Sequence, residues 1–76
     1  MRKIRPISAK ELCNIFEKAG FKCVRISGDH FVYTKEGILR PIIIPNWQQL
    51  PVFIIKNNLR TGNITREEYF QLMEIV

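Results

Sequence analysis

Histidine occurs once in this chain of 76 residues, tryptophan once and cysteine twice, and seven acidic residues face twelve lysines and arginines. Each scarcity excludes a chemistry. A zinc site takes three or four protein ligands. His30 with Cys13 and Cys23, which fall in apolar patterns rather than at ligand spacing, does not supply them, so neither a metal nor another cofactor is expected. Small secreted chains carry several disulfides, whereas two cysteines allow one bridge at most. Both are therefore expected to be buried, reduced thiols of a cytoplasmic protein. No apolar stretch follows the charged start Met1-Arg-Lys-Ile-Arg-Pro6, which argues against a signal peptide. The longest apolar runs, Ile42 to Ile44 and Val52 to Ile55, are too short to cross a bilayer, and no membrane partner is expected. The glycines form no phosphate loop, because Gly20, Gly28, Gly37 and Gly62 each stand alone at an expected turn. The carboxylates sit at caps and on helix surfaces and form no obvious catalytic pair.

What remains is a compact, basic chain. At this length only about 60% of the unfolded surface can be buried, enough for one modest core, so residues 1–76 are expected to form a single domain. The net charge of +5 favours an anionic partner, whether nucleic acid, acidic protein or membrane surface, although many solvated surfaces are as basic.

The element pattern can be followed along the chain. Ser8-Ala-Lys-Glu11 has the spacing of a capping box. Leu12, Ile15, Phe16 and Ala19 follow at helical spacing, and Gly20 suits a left-handed stop, which predicts a helix over 9–19. Residues 21–27 read as a strand, with Lys22, Val24 and Ile26 on one face and Phe21, Cys23 and Arg25 on the other. Gly28-Asp29 is a hairpin turn leading into a strand over 30–34. A third strand is expected over 38–44, at an edge or with a bulge because Pro41 has no N–H to donate. Pro51 suits a first helical position, and Val52, Ile55 and Leu59 mark a helix over 52–60 closed by Thr61-Gly62-Asn63. Thr65-Arg-Glu-Glu68 is a second capping box, opening a helix that carries Tyr69, Leu72, Met73 and Val76. The order α-β-β-β-α(-α) predicts an α+β fold, with a three-stranded antiparallel sheet, its helices on one face and the other face open. Double-stranded-RNA-binding-like folds share that layout, but fold alone does not fix function.

His30 opens a strand directly after the Gly-Asp turn. It fits two readings: a surface or hydrogen-bonded turn residue, or a general acid–base group, imidazole being the side chain whose ordinary pKa lies nearest neutrality. A neighbouring glycine that lets a ligand approach suits the second reading. A Cys23–His30 nucleophilic pair across the hairpin is conceivable, but no third group orients it, and a structural thiol fits better. Trp47, Phe31 and Tyr33 are candidates for stacking on bases. Phe31 and Tyr33 share a strand face and suit the core, whereas Trp47, in a loop, stays open between the two roles.

Taken in order, several segments resemble the HicA family of toxin–antitoxin mRNA interferases. They are Ser8-Ala-Lys-Glu-Leu12, Phe16-Glu-Lys-Ala-Gly20-Phe21 and Val24-Arg-Ile-Ser-Gly-Asp-His-Phe-Val-Tyr33. Ile44-Pro45, Ile54-Ile-Lys-Asn-Asn-Leu59 and Ile64-Thr-Arg-Glu-Glu-Tyr-Phe70 continue the likeness. The resemblance covers nearly the whole chain and implies a double-stranded-RNA-binding-like fold and ribosome-independent cleavage of messenger RNA. It also implies control by a small acidic antitoxin, HicB, bound as a hetero-oligomer over the site. The family's catalytic histidine, in a Gly-Ser-His turn, corresponds to His30. Asp29 stands where the family has serine, placing a carboxylate beside a phosphate site. Asn46 and Trp47 follow Pro45 where many members have a second histidine.

The implied mechanism needs no metal: His30 moves a proton while the 2′-oxygen attacks phosphorus. Gly28 and Asp29 form the turn, Arg25 is the best placed cation for the phosphate, and Lys22 and Arg40 are further RNA-binding candidates. Without the resemblance, a non-catalytic module that binds RNA or an acidic protein fits the same charge.

Overall fold

The computed structural model describes residues 2–76. Helix α1 (Ala9–Lys18) is followed by strands β1 (Lys22–Ser27), β2 (His30–Thr34) and β3 (Ile42–Pro45), then by helices α2 (Val52–Thr61) and α3 (Arg66–Ile75). The strands form an antiparallel sheet in the order β1-β2-β3, and the fold is α+β as the element pattern predicts.

The helix ends follow from local chemistry. At α1 the Glu11 N–H donates to the Ser8 hydroxyl at 3.1 Å, while the Glu11 carboxylate accepts from the Ser8 N–H at 3.1 Å. Thr65 and Glu68 repeat the exchange at the start of α3. Each cap satisfies amides that have no partner within the helix. Gly20 adopts φ +98° and stops α1. The Phe21 N–H then donates back to the Phe16 carbonyl at 3.0 Å. That bond makes Phe21 part of the helix end, so β1 begins one residue later than the pattern suggests. Its ring turns inward, 3% exposed, edge-on to Phe16 with centroids 5.0 Å apart.

The third strand is shorter than expected. Gly37 takes φ +89° and the Ile38 N–H donates to the Lys35 carbonyl at 3.0 Å, so residues 35–38 turn. Leu39 projects into solvent, and pairing starts only after Pro41, at Ile42. Pro51 is the N-cap of α2 rather than its first residue, and the left-handed residue after that helix is Asn63, at φ 58°. Gly62 has an ordinary φ of −81° and is small for a different reason. A Cβ there would lie 2.9 Å from the Phe16 ring and 3.1 Å from that of Phe21.

One sheet face carries the core. Tyr33, Ile42 and Ile44 pack with Leu12, Ile15 and Phe16 of α1, Ile55 and Leu59 of α2 and Tyr69 of α3. The Tyr33 hydroxyl donates to the Glu17 carboxylate at 2.6 Å. Tyr69 is fully buried, and its hydroxyl has no hydrogen-bond partner among the described residues. Burial pushes the Tyr69 hydroxyl up to about 12, with a smaller push from Glu11. Burial and the Glu17 contact raise Tyr33 as well.

An unfolded tyrosine ionises near pH 10, so above that pH the unfolded chain releases protons that the folded chain keeps. Stability is therefore full below about pH 10 and falls as the pH rises toward 12. Tyr69→Phe removes an unpaired buried hydroxyl and is expected to stabilise the protein by about 1 kcal/mol at neutral pH. It should also flatten the alkaline decline. Urea unfolding at pH 7 and pH 11 measures both effects.

Candidate active site

The loop joining β1 to β2 is two residues long. Gly28 adopts φ +58°, and no atom lies within 4 Å of where a side chain on it would stand. A ligand can approach this backbone closely. His30 follows as the first residue of β2, exposed, with Ser27 and Pro45 as its cross-strand partners.

A bulge decides what surrounds it. Cys23 pairs with Tyr33, but Arg25, not Val24, pairs with Val32, so the register shifts between Cys23 and Arg25. One extra residue reverses the alternation for the rest of the strand. Cross-strand partners share a face. Arg25 therefore joins Val32, Ser27 and His30 on the open face, and Ile26 joins Phe31 on the helix-facing side. This corrects the simple alternation, which groups Arg25 with Cys23 and Phe21, and Ile26 with Lys22. Arg25 stands diagonally across from His30, at roughly 7–8 Å between backbones, within reach of a long side chain. Among the described residues the one ion pair is Arg2–Glu74 at 3.3 Å, so the Arg25 guanidinium is free to meet an anion.

The other candidates lie elsewhere. Lys22 shares the open face but pairs with Thr34, at the far end of β2 from His30. Arg40 precedes Ile42, whose partner is Tyr33, and so belongs to that far end as well. Thr34 is four residues from His30 along β2, roughly 13 Å, so only Arg25 and the Gly28-Asp29 turn accompany His30. Cys23 is exposed, contrary to the expectation that both thiols are buried, because β1 is an outer strand of the sheet and all six of its residues are exposed. Its partner is Tyr33, so it does not stand across from His30. Cys13 is buried, and burial raises its thiol above the usual range, which disfavours the thiolate. Phe31 and Tyr33 turn toward the helices, as expected of core aromatics.

The pattern of the sequence does not reveal the part played by the segment after β3. The Asn46 N–H donates to the Asp29 carbonyl at 2.6 Å and ties this segment to the hairpin turn. The Ala9 N–H donates to the Trp47 carbonyl at 3.0 Å, and the Leu50 N–H to the Ile7 carbonyl at 2.7 Å. The turn carrying His30 is thus braced through main-chain bonds to the start of α1. Asn46 lies just past the expected strand end at Ile44, and its proximity to His30 could have been inferred only from the register of β3 on β2.

Chemically, the open face offers one proton carrier and one free guanidinium beside an unobstructed backbone turn. Among the described residues no three His, Cys, Asp or Glu side chains gather as a metal site would require. No helix among them is long and apolar enough to cross a membrane. In comparisons with known proteins, the family model described as the HicA toxin of bacterial toxin–antitoxin systems matches residues 9–64. No curated protein and no solved structure matches the chain.

Proposed function

The chain belongs to the HicA toxin family of bacterial toxin–antitoxin systems, and from that membership we propose that it is a ribosome-independent endoribonuclease that cleaves messenger RNA at His30. The observation that carries this reading is the β1 bulge, which sets a free arginine beside the chain's sole histidine on an open face. In the proposed reaction the ribose 2′-oxygen attacks the adjacent phosphorus and the bond to the 5′-oxygen breaks. The products are a 2′,3′-cyclic phosphate and a 5′-hydroxyl. One proton leaves the 2′-hydroxyl and one reaches the 5′-oxygen, and His30 performs one of these transfers. Arg25 offsets the charge that builds on the phosphoryl oxygens. No metal takes part, and the 2′-hydroxyl requirement confines the reaction to RNA.

The toxin's partner is an antitoxin, proposed here to be a small acidic HicB-like protein that covers His30. Carboxylates placed where phosphates would lie complement the +5 charge of this chain and speed the encounter. The purified protein is expected to cut a labelled transcript in the presence of EDTA and to leave DNA of the same sequence intact. RNA that is bound but never cut would replace this reading with a non-catalytic binding module.

A further inference from the structure

Resting on the RNA-cleaving reading, we infer that Trp47 is a stacking platform for an unpaired nucleobase of the RNA strand held at His30. Tryptophan is highly buried on average, yet here the residue is 47% exposed. Its backbone is not loose. The Trp47 N–H donates to the Pro45 carbonyl at 2.8 Å, the Trp47 carbonyl accepts from Ala9, and the preceding Asn46 is bonded to Asp29. An exposed ring on a fixed segment loses little freedom when a base settles on it, which is the property of a preorganised contact.

The location fits a nucleotide next to the reacting phosphate. Pro45 is the cross-strand partner of His30, and Trp47 lies two residues further, at most about 7 Å along the chain. Cations stand on the elements adjoining this segment. Arg25 shares the face of His30. Lys10 directly follows Ala9, and with Asn46 it lines a cleft of about 330 Å³ between α1 and the sheet. The nearest acids of α1 are engaged, Glu11 in the Ser8 cap and Glu17 with the Tyr33 hydroxyl. A strand crossing this end of the molecule would place one phosphate near Arg25 and another near Lys10, with a base between them over Trp47. Tyr33 is buried, and Phe31 lines that same cleft half-buried against the core, so neither offers a free ring as Trp47 does. Stacking of this kind tolerates any base, so the ligand class is single-stranded RNA rather than a defined sequence.

Trp47 is the only tryptophan in the chain, so its emission reports on this contact alone. The His30→Ala protein, which is expected to hold RNA without cutting it, is titrated with a fluorescein-labelled single-stranded RNA of about ten nucleotides. Inorganic polyphosphate of similar length serves as a ligand with charge but no bases. The expected result is saturable quenching by RNA and none by polyphosphate. By anisotropy, adding Trp47→Ala should weaken RNA binding about 5- to 150-fold, and Trp47→Phe should keep it within a few-fold. Thermal melts confirm that both variants fold. Cleavage of a transcript by the parent protein, followed in parallel, reports on the RNA-cleaving reading by itself. If the parent cuts RNA but the emission never changes and Trp47→Ala binds as tightly, the platform is overturned and the cleaving reading stands. If Trp47→Ala loses only antitoxin affinity, the ring belongs to the protein interface and the proposal is likewise overturned. A parent that neither binds nor cuts RNA overturns both.

Discussion

His30→Ala is expected to reduce RNA cleavage by about 10²- to 10⁴-fold, the usual cost of removing a general acid–base group, while leaving the fold as it is. The side chain is exposed and makes no hydrogen bond to the other described residues, so its loss leaves neither a cavity nor an unpaired partner. The variant should melt with the parent. It should still bind RNA, because Arg25 and the turn backbone remain, and it should no longer slow growth when expressed alone. Cleavage within a few-fold of the parent would remove His30 from the mechanism and return it to the role of an ordinary turn residue. Growth arrest without cleavage would point instead to titration of RNA or of a protein partner.

Phe16→Ala should also abolish growth inhibition, for a different reason. Phe16 is fully buried, packs edge-on against Phe21 at 5.0 Å and fills the space that Gly62 leaves open. Truncating such a ring costs about 3–5 kcal/mol. Small domains stand only about 5–15 kcal/mol above unfolding, and a chain of 76 residues belongs near the lower end. The variant is therefore expected to populate the unfolded state appreciably, with a urea midpoint far below that of the parent. A midpoint within experimental error of the parent would mean that the Phe16–Phe21–Gly62 cluster does not hold α1, α2 and the sheet together. The two variants separate chemistry from stability, since His30→Ala keeps its melting curve and Phe16→Ala does not.

The helices were legible because their determinants are local. Ser8 with Glu11 and Thr65 with Glu68 lie three residues apart, and each pair makes in the structure the exchange that its spacing implies. The third strand was misjudged by four residues at its start, because Ile38 and Leu39 look like strand residues. Gly37 and the Lys35–Ile38 turn carry the chain away from the sheet until Pro41 has passed. Arg25 was legible as a cation but not as a neighbour of His30. Its facing depends on a bulge, which is a property of how two strands pair rather than of either strand alone. The exposure of Cys23 has the same origin, since nothing within β1 tells that it forms the outer edge of the sheet. His30 stood out because it has no rival in the sequence, whereas its brace through Asn46 joins residues 17 positions apart and leaves no trace in the local pattern.

The bulge in β1 also bears on how the protein keeps apart from copies of itself. β1 is an outer strand of the sheet, and Val24 and Ile26 on it are 56% and 66% exposed. A straight, apolar outer strand is a template on which another chain can add its own, the first step toward a growing aggregate. The irregular backbone at Val24 interrupts the regular spacing of amides that such growth copies, and Lys22 and Arg25 would bring like charges together in a self-paired strand. The residue that turns Arg25 toward the histidine thus also discourages self-templated assembly.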